Sequence, residues 1–71
     1  MHREPVQSHA LRSVGYDRDT KTLELEFVSG AIYRYFDLTE FIYRALMRAD
    51  SKGRFFVASI DGRYKCEEVK G

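Results

Sequence analysis

The segment Leu23–Tyr35, LELEFVSGAIYRY, constrains this chain more than any other. Leu23, Leu25 and Phe27 fall on every second position, and Tyr33 and Tyr35 are again two apart. Strand side chains point to alternate faces, so the pattern predicts two strands, each with one buried face. Gly30 lies between them and tolerates the positive φ of a tight reversal. A three-residue loop ending in glycine favours a type I turn closed by a G1 bulge. That register sets Phe27 opposite Ala31, Leu25 opposite Tyr33 and Leu23 opposite Tyr35, all toward the core. Glu24 then faces Arg34 on the outer side. A two-residue loop would bring Arg34 beside Leu25 among apolar neighbours, so the first register is preferred.

The flanking segments extend this hairpin. Leu11–Tyr16 (LRSVGY) reads as a preceding strand, with Leu11 and Val14 out of phase unless a bulge near Gly15 corrects them. Asp17–Thr20 is a polar turn. Asp37-Leu38-Thr39-Glu40 fits a capping box, and Leu38, Phe41, Ile42, Ala45, Leu46 and Ala49 form an apolar stripe at helical spacing. That helix is expected to lie across the sheet. Fully buried, Leu38, Phe41, Ile42 and Leu46 would each contribute roughly 1.5–3 kcal/mol before chain entropy is counted. Ser51 is a candidate N-cap for a second short helical turn through Phe55 and Phe56. Arg63–Val69 reads as a last strand, with Tyr64 and Cys66 on one face.

The predicted order is β-β-β-α-(short α)-β, an α+β fold with a small antiparallel sheet and one main helix on one face. A length of 71 residues allows one domain, only marginally stable by itself. Residues 1–7, containing Pro5, are expected to be a flexible tail, and residues 8–71 a single domain.

Net charge is +1, which gives no global signature, but the charge is uneven. Arg44 to Lys65 holds six basic and two acidic residues, whereas residues 1–37 hold five basic and six acidic. The lone Cys66 excludes an internal disulfide and any zinc site needing two cysteines. No apolar run spans a membrane, and the first ten residues lack the core of a signal peptide. The expectation is a cytoplasmic chain without metal or cofactor.

Several pieces together resemble the KTSC domain family. They are Gly15-Tyr16-Asp17, Leu23–Phe27, Gly30, the Tyr33-Arg34-Tyr35 triplet, and Ala49-Asp50-Ser51-Lys52-Gly53-Arg54-Phe55-Phe56. The likeness covers about residues 8–69. The family occurs as a stand-alone bacterial domain and at the C-terminus of some lysyl-tRNA synthetases. The resemblance therefore implies an association with RNA, and no catalytic residue carries over. Two positions depart from the family's usual pattern: Thr39 stands where Pro is common, and Val57 where Asn is common. A ligand contact made through that Asn would have no equivalent here.

Three groups of side chains are candidates for function. Tyr33 and Tyr35 are of the type that stacks on unpaired bases, but the register makes them core residues, and Gly30, Arg34, Phe55 and Phe56 are read as structural with them. Ser51, Lys52, Gly53 and Arg54 suit an anion at a helix start, against the plainer reading of a cap with solvated charges. Arg48, Arg63 and Lys65 are expected on the same side, giving a basic 48–65 surface for RNA or tRNA, with Phe36 or Tyr43 as the exposed ring. His2 and His9 lack partners at metal-ligand spacing, and a Cys66–His9 nucleophile pair is far less expected than a half-buried structural cysteine. The competing reading is a protein-interaction module or homodimer, using an exposed sheet edge and outward Ile32, Phe36, Tyr43 or Met47.

Overall fold

The computed structural model describes residues 1–70. Five strands form one antiparallel sheet in chain order: β1 (Glu4–Pro5), β2 (Leu11–Asp17), β3 (Thr22–Phe27), β4 (Ile32–Tyr35) and β5 (Cys66–Glu68). Helices α1 (Glu40–Arg48) and α2 (Lys52–Ser59) fill the connection from β4 to β5. The α+β class and the antiparallel sheet expected from the sequence are present.

The β3–β4 register is the one set by alternation. Leu23 pairs with Tyr35, Glu24 with Arg34 and Leu25 with Tyr33, and the Phe27 amide donates to the Ala31 carbonyl at 2.9 Å. Gly30 has φ +98° in the connecting turn, a conformation that side chains strain. In β2 the irregularity falls between Leu11 and Ser13, at Arg12, and not at Gly15. One extra residue there turns Leu11 and Val14, three apart in sequence, onto the same face. Both are buried with Leu23, Leu25, Tyr35, Leu38, Leu46 and Ile60 in the core.

Gly15 has a different task. A Cβ there would sit 2.6 Å from the His2 carbonyl oxygen, so glycine allows the N-terminal residues to lie against β2. Residues expected to be a loose tail are thus paired: Glu4 opposes Val14 and Pro5 opposes Ser13. Proline fits because β1 is an edge strand, where a missing N–H is tolerated. Arg3 reaches over the sheet face opposite the core. Its Nε donates to Ser13 Oγ at 3.0 Å and its Nη1 to Glu24 Oε2, while Arg34 Nε donates to Glu24 Oε1 at 2.8 Å. Glu24, read as an outer-face residue, is only 2% exposed beneath this cover. Both carboxylate oxygens have cationic donors, which is what a buried charge requires.

Helix α1 begins two residues later than the expected box. Thr39 is the N-cap, with Oγ1 accepting from the Ile42 amide, while Asp37 has φ +56° and Glu40 turns to Arg44 and Arg18. The Leu38 amide donates to the Lys21 carbonyl at 3.0 Å, which pins this entry to the β2–β3 turn. The buried stripe of α1 is also rotated from the expected one. Ile42, Tyr43, Leu46 and Met47 pack on the core, and Phe41 is 78% exposed. Tyr43 stacks on Tyr16 with ring centroids 4.7 Å apart, and this contact favours the rotation.

Helix α2 is capped by Ser51, as expected, and runs past Phe55 and Phe56 to Ser59. Phe56 meets Phe27 and Tyr35 edge-on, at centroid distances of 5.3 and 5.7 Å. The last strand is shorter than the expected 63–69. Cys66 opposes Tyr35 on the outermost strand and is exposed where a half-buried residue was expected.

Candidate functional site

The turn between α1 and α2 gathers most of the basic candidates. Arg48 ends α1, and Ala49 leaves the helix in an extended conformation. Ser51 Oγ then accepts from the Arg54 amide at 3.3 Å to start α2. Lys52 folds back so that its Nζ donates to the Ala49 carbonyl at 3.2 Å. A Cβ on Gly53 would lie 3.1 Å from the Ala10 Cβ, so α2 starts in tight contact with the loop before β2. Ser8 shapes that loop, its Oγ accepting from the Ala10 and Leu11 amides. A cleft lies between the two, lined by Gln7, Ser8 and His9 on one side and Asp50 to Gly53 on the other. The first backbone N–H groups of a helix emerge at this end and carry partial positive charge. Asp50 places one carboxylate on the rim.

Arg48, Lys52 and Arg54 therefore belong to one junction, at the end of α1 and the start of α2. Arg48 and Arg54 are exposed and make no ion pair among the described residues. Arg63 and Lys65 come after α2. Arg63 Nε donates to the Ala58 carbonyl at 3.0 Å, near the far end of α2, and the Lys65 carbonyl accepts from the Phe36 amide. Ala58 lies four residues beyond Arg54 on α2, about 6 Å along the helix axis.

The Tyr33-Arg34-Tyr35 triplet is built into the fold. Tyr35 is buried against Phe56, and that burial pushes its phenol pKa well up from the usual value. Tyr33 is half-buried and meets Phe27 edge-on at 6.0 Å. Arg34 holds Glu24 on the opposite face. Burial by itself would raise the Glu24 pKa, but the hydrogen bonds and charges of Arg34 and Arg3 outweigh it and hold the carboxyl below its ordinary range. Tyr43 and Met47, considered as outward contacts, pack on the core, and Ile32 and Phe36 are half-buried.

The exposed aromatic ring is one that the sequence pattern assigned to the core. Phe41, Arg44 and Arg48 follow at i, i+3 and i+7 on the outer face of α1. With Ala45, Ala49 and Phe55 they line a groove of about 460 Å³ between the helices. Arg44 is held by Glu40, its Nη2 2.8 Å from the carboxylate. A second apolar pair, Tyr43 and Met47, was the available signal that the helix could turn this way.

Both sheet edges are poorly suited to strand addition. β1 has two residues and a proline, and β5 has three residues, including Glu67 and Glu68. No helix among the described residues is long and apolar enough to cross a membrane, and no cluster of three or more His, Cys, Asp or Glu suited to a metal occurs among them.

Comparison with known proteins bears on this geometry. The profile of the KTSC domain matches residues 7–64. A crystal structure of a KTSC domain protein from Yersinia pestis superposes with a TM-score of 0.95 at 38% identity, covering 97% of each chain. A protein of Stutzerimonas stutzeri is 50% identical over 56 residues, 79% of each chain. The lysine–tRNA ligase of Nostoc punctiforme is 33% identical over 63 residues, which is 89% of this chain and 11% of the ligase.

Proposed function

The chain belongs to the KTSC domain family, and from that premise we propose that it is a non-enzymatic RNA-binding module with a tRNA-related role in the cytoplasm. The observation that carries this reading is the junction of α1 and α2. There Arg48 ends α1 and Lys52 and Arg54 open α2, with Asp50 the only acidic residue from 48 to 54. Cations and helix N–H groups at one place suit phosphate, and each phosphate neutralised releases counterions, so affinity should fall steeply with salt. Arg63 and Lys65 would meet a different part of the same backbone. The match to part of the lysine–tRNA ligases supports RNA as the polyanion. Protein interaction through a sheet edge has less support, because both edges are short and blocked.

The test is titration of fluorescently labelled tRNA and a single-stranded RNA with the chain at low salt. Binding that weakens as salt rises, and is lost in the Arg48→Glu, Arg54→Glu double variant, supports the reading. Both side chains are exposed, so the variant should remain folded. No binding to either RNA at low salt overturns it.

A further inference from the structure

The groove beside the basic junction carries a more specific conclusion, which rests on the RNA-binding reading. We infer that Phe41 and the groove it borders take an unpaired base, so that the domain selects single-stranded over duplex RNA. Phe41 lies on the outer face of α1, and its 78% exposure cannot be explained by packing within the chain. Leaving a large ring in water forgoes the stabilisation its burial would bring. The ring lines the groove together with half-buried Phe55. Arg44 and Arg48 flank the same groove, and Arg54 and Lys52 follow directly along the chain.

Charge decides what this surface accepts. The groove has apolar lining in Ala45 and Ala49 beside the guanidinium of Arg48 and that of Arg44, which Glu40 pairs. A nucleotide has the matching division, with a flat apolar base face joined to an anionic phosphate. Aromatic rings stack on bases without regard to sequence, and arginine adds stacking and charge. A partner helix would need apolar anchors repeated over two turns, whereas here one exposed ring is followed along α1 by two arginines. A duplex would present phosphates to Arg48 and Arg54 but keep its bases stacked away from Phe41.

The test uses three probes of equal length: a single-stranded RNA, the same strand in a duplex, and a strand whose residues are abasic. The single strand should bind more tightly than the other two, and Phe41→Ala should weaken it roughly tenfold, to the level of the abasic strand. The chain has no tryptophan, so Phe41→Trp supplies a single reporter whose fluorescence the single strand should quench and the abasic strand should not. Equal binding of all three probes, unaffected by Phe41→Ala, overturns base recognition while leaving the phosphate surface standing. Absence of binding to every probe at low salt overturns the RNA reading itself, and the base site with it.

Discussion

The Tyr16 hydroxyl donates a 2.6 Å hydrogen bond to the Leu38 carbonyl, joining β2 to the residue that leads into α1. The same ring stacks on Tyr43, one turn into the helix. These two contacts fix both the start and the rotation of α1. With Leu38 and Tyr43 held inward, Phe41, Arg44 and Arg48 are carried outward. The candidate surface is thus a consequence of how a half-buried tyrosine seats the helix.

Tyr16→Phe removes the hydroxyl and keeps the stack. A hydrogen bond of this kind contributes about 0.5–1.5 kcal/mol, and more if the carbonyl is left without a partner. Urea unfolding should show a lower midpoint with an unchanged slope. A midpoint equal to that of the parent chain would mean that the bond does not hold the helix.

Acid should weaken the fold through Glu24. Its folded-state pKa lies below the unfolded value, so its contribution is complete above about pH 4.3 and is lost as pH falls through the folded value. Glu24→Gln should therefore be less stable than the parent at neutral pH, by about 1–3 kcal/mol. The gap should narrow on acidification below pH ~4. A gap independent of pH would contradict the charged pairing with Arg3 and Arg34.

Two glycines should respond differently to alanine. At Gly15 the added Cβ meets backbone, the His2 carbonyl oxygen, so the cost depends on the N-terminal residues being in place. Gly15→Ala should destabilise the full chain by about 1–3 kcal/mol, and much less once residues 1–3 are removed. At Gly30 the Cβ meets nothing within 4 Å, yet φ is +98°, so the cost is conformational, about 1–2 kcal/mol in either background. Chemical denaturation of the two pairs decides the matter; equal costs at Gly15 with and without residues 1–3 would remove the N-terminal segment from the explanation.

Sedimentation should find a monomer across a wide concentration range. Pro5 and the Glu67-Glu68 pair blunt the two ends of the sheet. Concentration-dependent association that Phe41→Ala abolishes would instead make the α1 surface a protein contact.

The hairpin was legible in the sequence because alternation, a turn glycine and a cross-strand ion pair all point to one register. Helix α1 was legible as a helix but not in its rotation. Leu38, Ile42 and Leu46 belong to two overlapping apolar stripes, one completed by Phe41, Ala45 and Ala49, the other by Tyr43 and Met47. Periodicity cannot choose between them; the tertiary partner Tyr16 does. The β1 strand was hidden for a similar reason. Two residues carry no period, and Pro5 argues against a strand until its edge position is known. The basic candidates at 48–54 are adjacent in sequence and remain so in space. Arg63 and Lys65 follow α2, and the hydrogen bond that draws Arg63 back to the Ala58 carbonyl is invisible in a count of charges.

The most direct measurement is the salt dependence of RNA affinity for the parent chain and for Arg48→Gln, Arg54→Gln. Plots of log affinity against log salt lose about 0.7 in slope for each single-strand phosphate contact removed. If both arginines meet phosphate, the double variant should bind more weakly at low salt, and its slope should be shallower by about 1.4. Identical slopes and affinities for the two proteins would contradict the assignment of the α1–α2 junction as the RNA-binding surface.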